Sequence, residues 1–281
     1  MLLHAMPSAR QGAMRLKKLH FDYYMQIDYT EAVSKCHFTI KCIPQSNKRQ
    51  QIEDIVIDLF PPSVYRFGVD GLGNMQIYGV NEVSHDTFYY HITGTALTGQ
   101  ADYEEDIDEN TAMIFRHPHG LNAAGDAIRE YFKKRDPVEE SDPYRKAIRL
   151  MNRLYKDFKY EPGSTTIATT AEEAFTQGKG VCQDYAHVFI ALLHLAGIPA
   201  RYVTGLIVGE GASHAWVEIL YQNKWYGLDP TNNMLVTDEH VKIGVGRVAG
   251  DCMINRGIMR GGGLHTQIIK VNVKEIQGEE S

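Results

Sequence analysis

"SHAWVEILYQNKWYGLDP" (residues 213–230) reads as a hairpin with a histidine near one end and an aspartate near the other. Both arms are rich in aromatic and apolar residues, and Gln222-Asn223 separates them. A two-residue loop pairs Tyr221 with Lys224 and sets Asp229 opposite Trp216. His214 lies two residues from Trp216 and so shares its face. Asp229 is then the diagonal neighbour of His214, at roughly 7–8 Å between backbones. A four-residue loop pairing Leu220 with Trp225 keeps this register, whereas an odd loop without a bulge puts the two residues on opposite faces. Read alone, His214 also fits a half-buried strand residue, and Asp229 a turn residue before Pro230. Together they make a base and its orienting carboxylate, lacking only a nucleophile.

The segment upstream offers one. "GKGVCQDYAHVFIALLHLAGIP" (residues 178–199) predicts a buried helix over 181–196, with Gly197 as C-cap and Pro199 just beyond. Cys182 falls in or just before its first turn. There the unpaired N–H groups and the helix dipole favour an anion, and a thiolate is one. Cysteine is also a common small core residue, and both readings stand on this stretch alone. His187, about 140° around the helix from Cys182, is expected to be a packed structural histidine.

The chain has 281 residues, a net charge of −6, 43% hydrophobic and 23% charged residues, which fits one large or two ordinary globular domains. The mild acidity gives no argument for nucleic acid or an anionic membrane. No apolar run reaches the roughly 20 residues of a spanning helix, and the N-terminus shows no signal-peptide pattern. Four cysteines in a chain of this length make no disulfide framework. Reduced thiols and a cytoplasmic location are the expectation. Residues 1–14 are expected to form a disordered extension, 15–100 a β-rich N-terminal domain, 101–121 a linker and 122–281 a second domain. Within 15–100, LHFDYYMQIDY, KCHFTIKCIP, QIEDIVIDLFP, VYRFGVDGLGNMQIYGV and TFYYHITGTAL predict strands of a sandwich-like antiparallel sheet. AAGDAIREYFKKR and PYRKAIRLMNRLYKDF carry helical apolar spacing.

The Gly-x-Cys helix start, "SHAWVEI" and "WYGLDPTNN", in this order and spacing, strongly resemble the transglutaminase-like superfamily of papain-like cysteine enzymes, its bacterial branch most closely. The resemblance covers about 144–233 and extends through "FKYEPGSTT", "HVKIGVGRVAGD" and TQIIKVNVKEI; residues 15–100 look like the β-rich region that bacterial members carry. It implies an α+β fold: a papain-like core, with a Cys-bearing helix packed on an antiparallel sheet, preceded by a β-sandwich-like domain. It implies Cys182 as nucleophile, His214 as general base then acid, and Asp229 as the residue orienting His214. It implies hydrolysis of a peptide or protein amide through a thioester, with transfer to an amine as the alternative and a non-catalytic binding module as a third. No cofactor is expected, and the oligomeric state stays open.

The remaining candidates are less specific. The oxyanion needs preorganised donors. The Cys182 N–H is the natural first, and Tyr160 is the candidate for the second, with Gln177 as an alternative by analogy with the glutamine that precedes the cysteine in papain. Asp184 is a candidate helix cap or cleft residue. Trp216 is a candidate shield for the Asp–His contact, and Glu218 a support on the same face as His214. Arg247 and Asp251, in a Gly-rich loop, are candidate cleft-rim contacts. His117 and His119 lack further ligands at metal-binding spacing, so no metal is expected.

Overall fold

The computed structural model describes residues 16–101, 112–135 and 140–276. The predicted extension at 1–14 lies outside them. The N-terminal region is antiparallel sheet throughout: β1 (Lys17–Ile40), β2 (Gln50–Phe60), β3 (Val64–Val69), β4 (Met75–Asn81) and β5 (His85–Thr98). LHFDYYMQIDY and KCHFTIKC, read above as separate strands, are one 24-residue strand. Its first half pairs with β5 and its second with β4, and the register shifts between Asp28 and Val33. The two halves bury Leu19, Phe21, Tyr23, Met25 and then Phe38 and Ile40 in one core, so the bent strand folds the sheet around itself.

The helices are α1 (Asp126–Arg135), α2 (Pro143–Asp157), α3 (Ala171–Gln177) and α4 (Cys182–Leu195). Pro143 opens α2 behind an Asp142 cap whose side chain accepts the Arg145 N–H. Ala147, Leu150, Met151 and Leu154 form its buried stripe against α4, which is buried nearly all round. The short strands β6 (Lys159–Tyr160) and β7 (Lys179–Gly180) pair in parallel. The second sheet uses β8 (Ala200–Ile207), β10 (His214–Tyr221), β11 (Lys224–Asp229), β12 (Met234–Leu235) and β13 (His240–Gly246), in the order β12-β11-β10-β8-β13. α4 packs on this sheet: its residues share a core with Ala215, Val217, Ile219 and Leu228. Among the described residues, no helix is long and apolar enough to cross a membrane.

Two boundaries differ from the sequence reading. β14 (Asn255–Gly261) and β15 (His265–Glu275) both pair with β1, and β9 (Gly209–Gly211) pairs with β15. Residues 122–281 are therefore not a self-contained unit; the C-terminal strands complete the N-terminal sheet, and Leu206, Val241 and Ile243 of the second sheet enter its core. The described part of the predicted linker is packed as well. Phe115 is buried edge-on against Trp225, and its carbonyl accepts from the Ala200 N–H and the His194 ring.

One polar cluster ties three strands of the second sheet. Glu218 has no exposed surface and pairs with Arg201 at 2.7 Å and Lys242 at 3.2 Å, while the Arg201 guanidinium lies 4.3 Å from the Trp225 ring centre. The two cations overcome burial and hold the Glu218 carboxyl below its ordinary range. Removing one partner of such a cluster strands the others' charge in low dielectric. Glu218→Ala is expected to cost about 3–5 kcal/mol in urea unfolding; a loss under about 1 kcal/mol would mean that water compensates the two cations.

Candidate active site

The hairpin has the expected register. Tyr221 pairs with Lys224 and Val217 with Leu228, which puts Asp229 opposite Trp216 at the next step. Gln222 and Asn223 both take positive φ, 48° and 61°, as a tight two-residue hairpin turn requires. Asp229 therefore reaches His214: the Nε2–H of the imidazole donates to Asp229 Oδ2 at 2.8 Å. The carboxylate is fully buried and its other donors are close at hand. The Thr231 and Asn232 backbone N–H groups donate to Oδ1 at 3.0 and 3.2 Å, and the Asn232 side-chain amide to Oδ2 at 2.7 Å.

Cys182 is the first residue of α4 and is only partly buried. Asp184, two residues on, accepts the Val181 N–H at 2.8 Å and the Thr165 hydroxyl at 2.6 Å. It thus caps the turn that presents the thiol, as one of its two sequence readings required, and it is not among the cleft-lining residues. Gly180 makes room for that cap: a Cβ there would sit 2.5 Å from the Asp184 Cβ. Tyr160 and Tyr185 stand with Cys182 and His214 around a cleft of about 570 Å³, together with Tyr155, Phe158, Lys159, Thr231 and Asn232. Tyr160 is placed by the β6–β7 pairing, in which the Lys159 N–H bonds the Gly178 carbonyl and the Glu161 N–H bonds the Gly180 carbonyl. Burial and then the nearby Cys182 push its phenol pKa up. Tyr185 is locked by its hydroxyl, which donates to the Phe158 carbonyl at 2.7 Å.

Burial opposes charge on His214, but the hydrogen bonds the imidazole donates to Asp229 and Cys182 outweigh it and raise the imidazole to about 9. Nε2 is committed to Asp229, so Nδ1 is the nitrogen available to the thiol. Burial opposes charge on Asp229 too, and the His214 bond leads the contacts that bring it well below the ordinary carboxylate range.

Several candidates lie elsewhere. Gln177 is exposed at the end of α3 and does not line the cleft. Gly178, in the left-handed conformation, turns the chain before Cys182. Glu218 shares the His214 face but is taken by Arg201 and Lys242. Arg247 and Asp251 bind each other, with Nε to Oδ2 at 2.9 Å and Nη2 to Oδ1 at 3.1 Å, away from the cleft. Trp216 is buried with its ring 6.2 Å from that of His214, on the flank of the Asp–His pair. His187 accepts the Ala249 N–H, and burial lowers it to about 4, as befits a structural histidine.

Sequence reading missed Asn232 and His240. Asn232 follows Asp229 by three residues, the reach of an Asx-type turn. His240 Nε2 lies 3.5 Å from Asp229 Oδ2 and has no local signal. The ligand atoms of His214, Asp229 and His240 fall within 4.8 Å of one another. Both oxygens of Asp229 are engaged by N–H donors, which a cation would have to displace.

Residues 133–230 match the core of the transglutaminase-like superfamily. This similarity covers about a third of the chain. An uncharacterized protein of Mycobacterium tuberculosis is 35% identical over 176 residues, covering 55% of this chain and 54% of that protein. The chain thus spans about half the length of the curated relatives it matches. A protein-glutamine gamma-glutamyltransferase of Pseudomonas aeruginosa is 32% identical over 123 residues, 36% of this chain and 18% of that protein. A crystal structure from Cytophaga hutchinsonii, provisionally named a cysteine protease, has the same fold over 95% of this chain and 93% of its own, with a TM-score of 0.78 at 22% identity.

The paired shifts make stability depend on pH. His214 is raised, so its contribution is complete below the ordinary imidazole range and is lost as pH rises through about 9. Asp229 is lowered, so its contribution holds at neutral pH and is lost only in acid. The melting-temperature gap between wild type and Asp229→Asn is expected to be widest in mildly acidic solution, between the ordinary carboxylate and imidazole ranges, and to narrow as pH rises through about 9. A gap independent of alkaline pH would show that the pair is not ionised.

Proposed function

We propose that the chain is a cysteine-dependent amide hydrolase working through a Cys182 thioester. The observation that carries this reading is the 2.8 Å His214–Asp229 bond in the cleft that also exposes Cys182 at a helix N-terminus. His214 Nδ1 takes the thiol proton, and the sulfur attacks the amide carbonyl. Negative charge then moves to the carbonyl oxygen. The Cys182 N–H, in the first helical turn, is the first donor to it. The Tyr160 hydroxyl, on the same cleft wall, is the second. The C–N bond breaks as His214 returns its proton to the leaving amine. Water, deprotonated by His214, attacks the thioester and releases acid and thiol.

The charge around the cleft favours water over an amine acceptor. Among the described residues its lining includes Lys159 and no Asp or Glu. A lysine side chain enters such a cleft as an ammonium ion and is repelled. Its relative named for gamma-glutamyl transfer makes amine transfer the competing outcome.

An internally quenched peptide library supplemented with a dansylated diamine separates the two. Peptide cleavage or ammonia release is expected without amine, with little dansyl incorporation, and Cys182→Ala is expected to lower turnover to the background rate. Dansyl incorporation exceeding hydrolysis would make the protein a transferase, and turnover retained in Cys182→Ala would remove the thiol from the mechanism.

A further inference from the structure

We propose that His240 is a positioning residue for Asp229 and that the N-terminal sheet, by gripping the segment around His240, is part of the catalytic machinery. This role rests on the thiol chemistry proposed above. His240 opens β13 and is buried. Its Nδ1 accepts the Thr237 N–H at 3.2 Å, so the ring proton sits on Nε2. Nε2 faces Asp229 Oδ2 at 3.5 Å, the oxygen that also receives His214. Trp216 closes the space edge-on, 5.3 Å from the His240 ring.

A neutral donor suits this position. A second cation beside Asp229 would compete with the His214 imidazolium for one negative charge. Burial lowers the His240 pKa despite the opposing Asp229. A neutral N–H directs the carboxylate and leaves its charge for His214. The charged or titratable groups facing His240 are Asp229, His214 and, from the N-terminal region, Arg49.

Residues 236–242 are held from outside the second sheet. Arg49 Nη2 donates to the Thr237 carbonyl at 3.1 Å. Gln50 in β2 makes two bonds to the Lys242 backbone, each 2.8 Å, donating to the carbonyl and accepting the N–H. The Thr98 hydroxyl in β5 donates to the Asp238 carbonyl, and Lys17 in β1 pairs with Glu239 at 2.8 Å. Three strands of the N-terminal sheet therefore converge on the loop whose last turn aims His240 at Asp229. Three of these attachments fall on the loop before His240 and the fourth on β13 two residues after it.

The test is the rate at which iodoacetamide alkylates Cys182 in the folded full chain near pH 6, located by mass spectrometry. It reads the thiolate–imidazolium pair and needs no substrate. His240→Leu is expected to slow alkylation about tenfold, the loss of one hydrogen bond to a charged group. His240→Gln, whose amide N–H replaces the Nε2–H, is expected to stay within about threefold of wild type. Arg49→Ala is expected to slow it to a smaller extent and to have no further effect in the His240→Leu background, because both act through one loop. Thermal unfolding monitors the fold; if His240→Leu is unfolded, Arg49→Ala and His240→Gln carry the test alone. Wild-type rates in His240→Leu or in Arg49→Ala, or equal loss in the folded Leu and Gln variants, overturn the role of His240 while leaving the thiol chemistry standing. A Cys182 that is inert in the folded wild type overturns the thiol reading, and this role with it.

Discussion

A carboxylate with no exposed surface is the constraint around which this fold is arranged. An unpaired charge at Asp229 would cost far more than the few kcal/mol by which a domain is stable. It is tolerated because donors arrive from three directions: His214 across the hairpin, the N–H groups of Thr231 and Asn232 in the turn that follows, and the Asn232 amide. The His214 proton balances the charge. The electrostatics that let the fold bury Asp229 therefore also raise the imidazole to about 9 and keep it protonated beside Cys182 at neutral pH. Burial of the carboxylate and protonation of the imidazole are two readings of one interaction.

The N-terminal sheet follows from the same need for rigidity. Its central strand is joined on one side by β5 and on the other by β15, from the far end of the chain, with Leu19 opposite Glu275. A strand from late in the chain thus extends the sheet, and β8 and β13 lend Leu206, Val241 and Ile243 to its core. Two sheets sharing a core cannot shift against one another without opening it. A hydrogen-bond geometry that tolerates errors of only a fraction of an ångström is better served by this arrangement than by a linker between independent domains.

What could be read from the sequence was what local rules determine. The hairpin register follows from a two-residue turn and a side-chain period of two, so the Asp229–His214 contact was legible before any coordinates. The Cys182 helix, with Gly197 at φ 73°, was legible from its apolar run and its cap. Parity also misled. Glu218 shares the His214 face, but four residues at ~3.3 Å place it about 13 Å along the strand, out of reach. Pairing between distant segments leaves no local trace: nothing in TQIIKVNVKEI announces β1 as its partner, and the second domain was drawn too large for that reason. His240 was invisible for the same cause, since its place beside Asp229 depends on β13 crossing to the outer edge of β8.

The two buried carboxylates of the second sheet differ in the kind of partner they have. Glu218 is held by Arg201 and Lys242, a guanidinium and an ammonium. Asp229 is balanced by an imidazole, whose proton is lost as pH rises through about 9. Both clusters join neighbouring strands, and both carboxyls are held below their ordinary range. Exchange the partners and the chemistry would move with the imidazole, while the strands would remain tied. The backbone thus supplies two equivalent anchors, and an imidazole beside a thiol at a helix N-terminus, in place of a guanidinium and an ammonium, is what sets the Asp229 cluster apart from the Glu218 cluster.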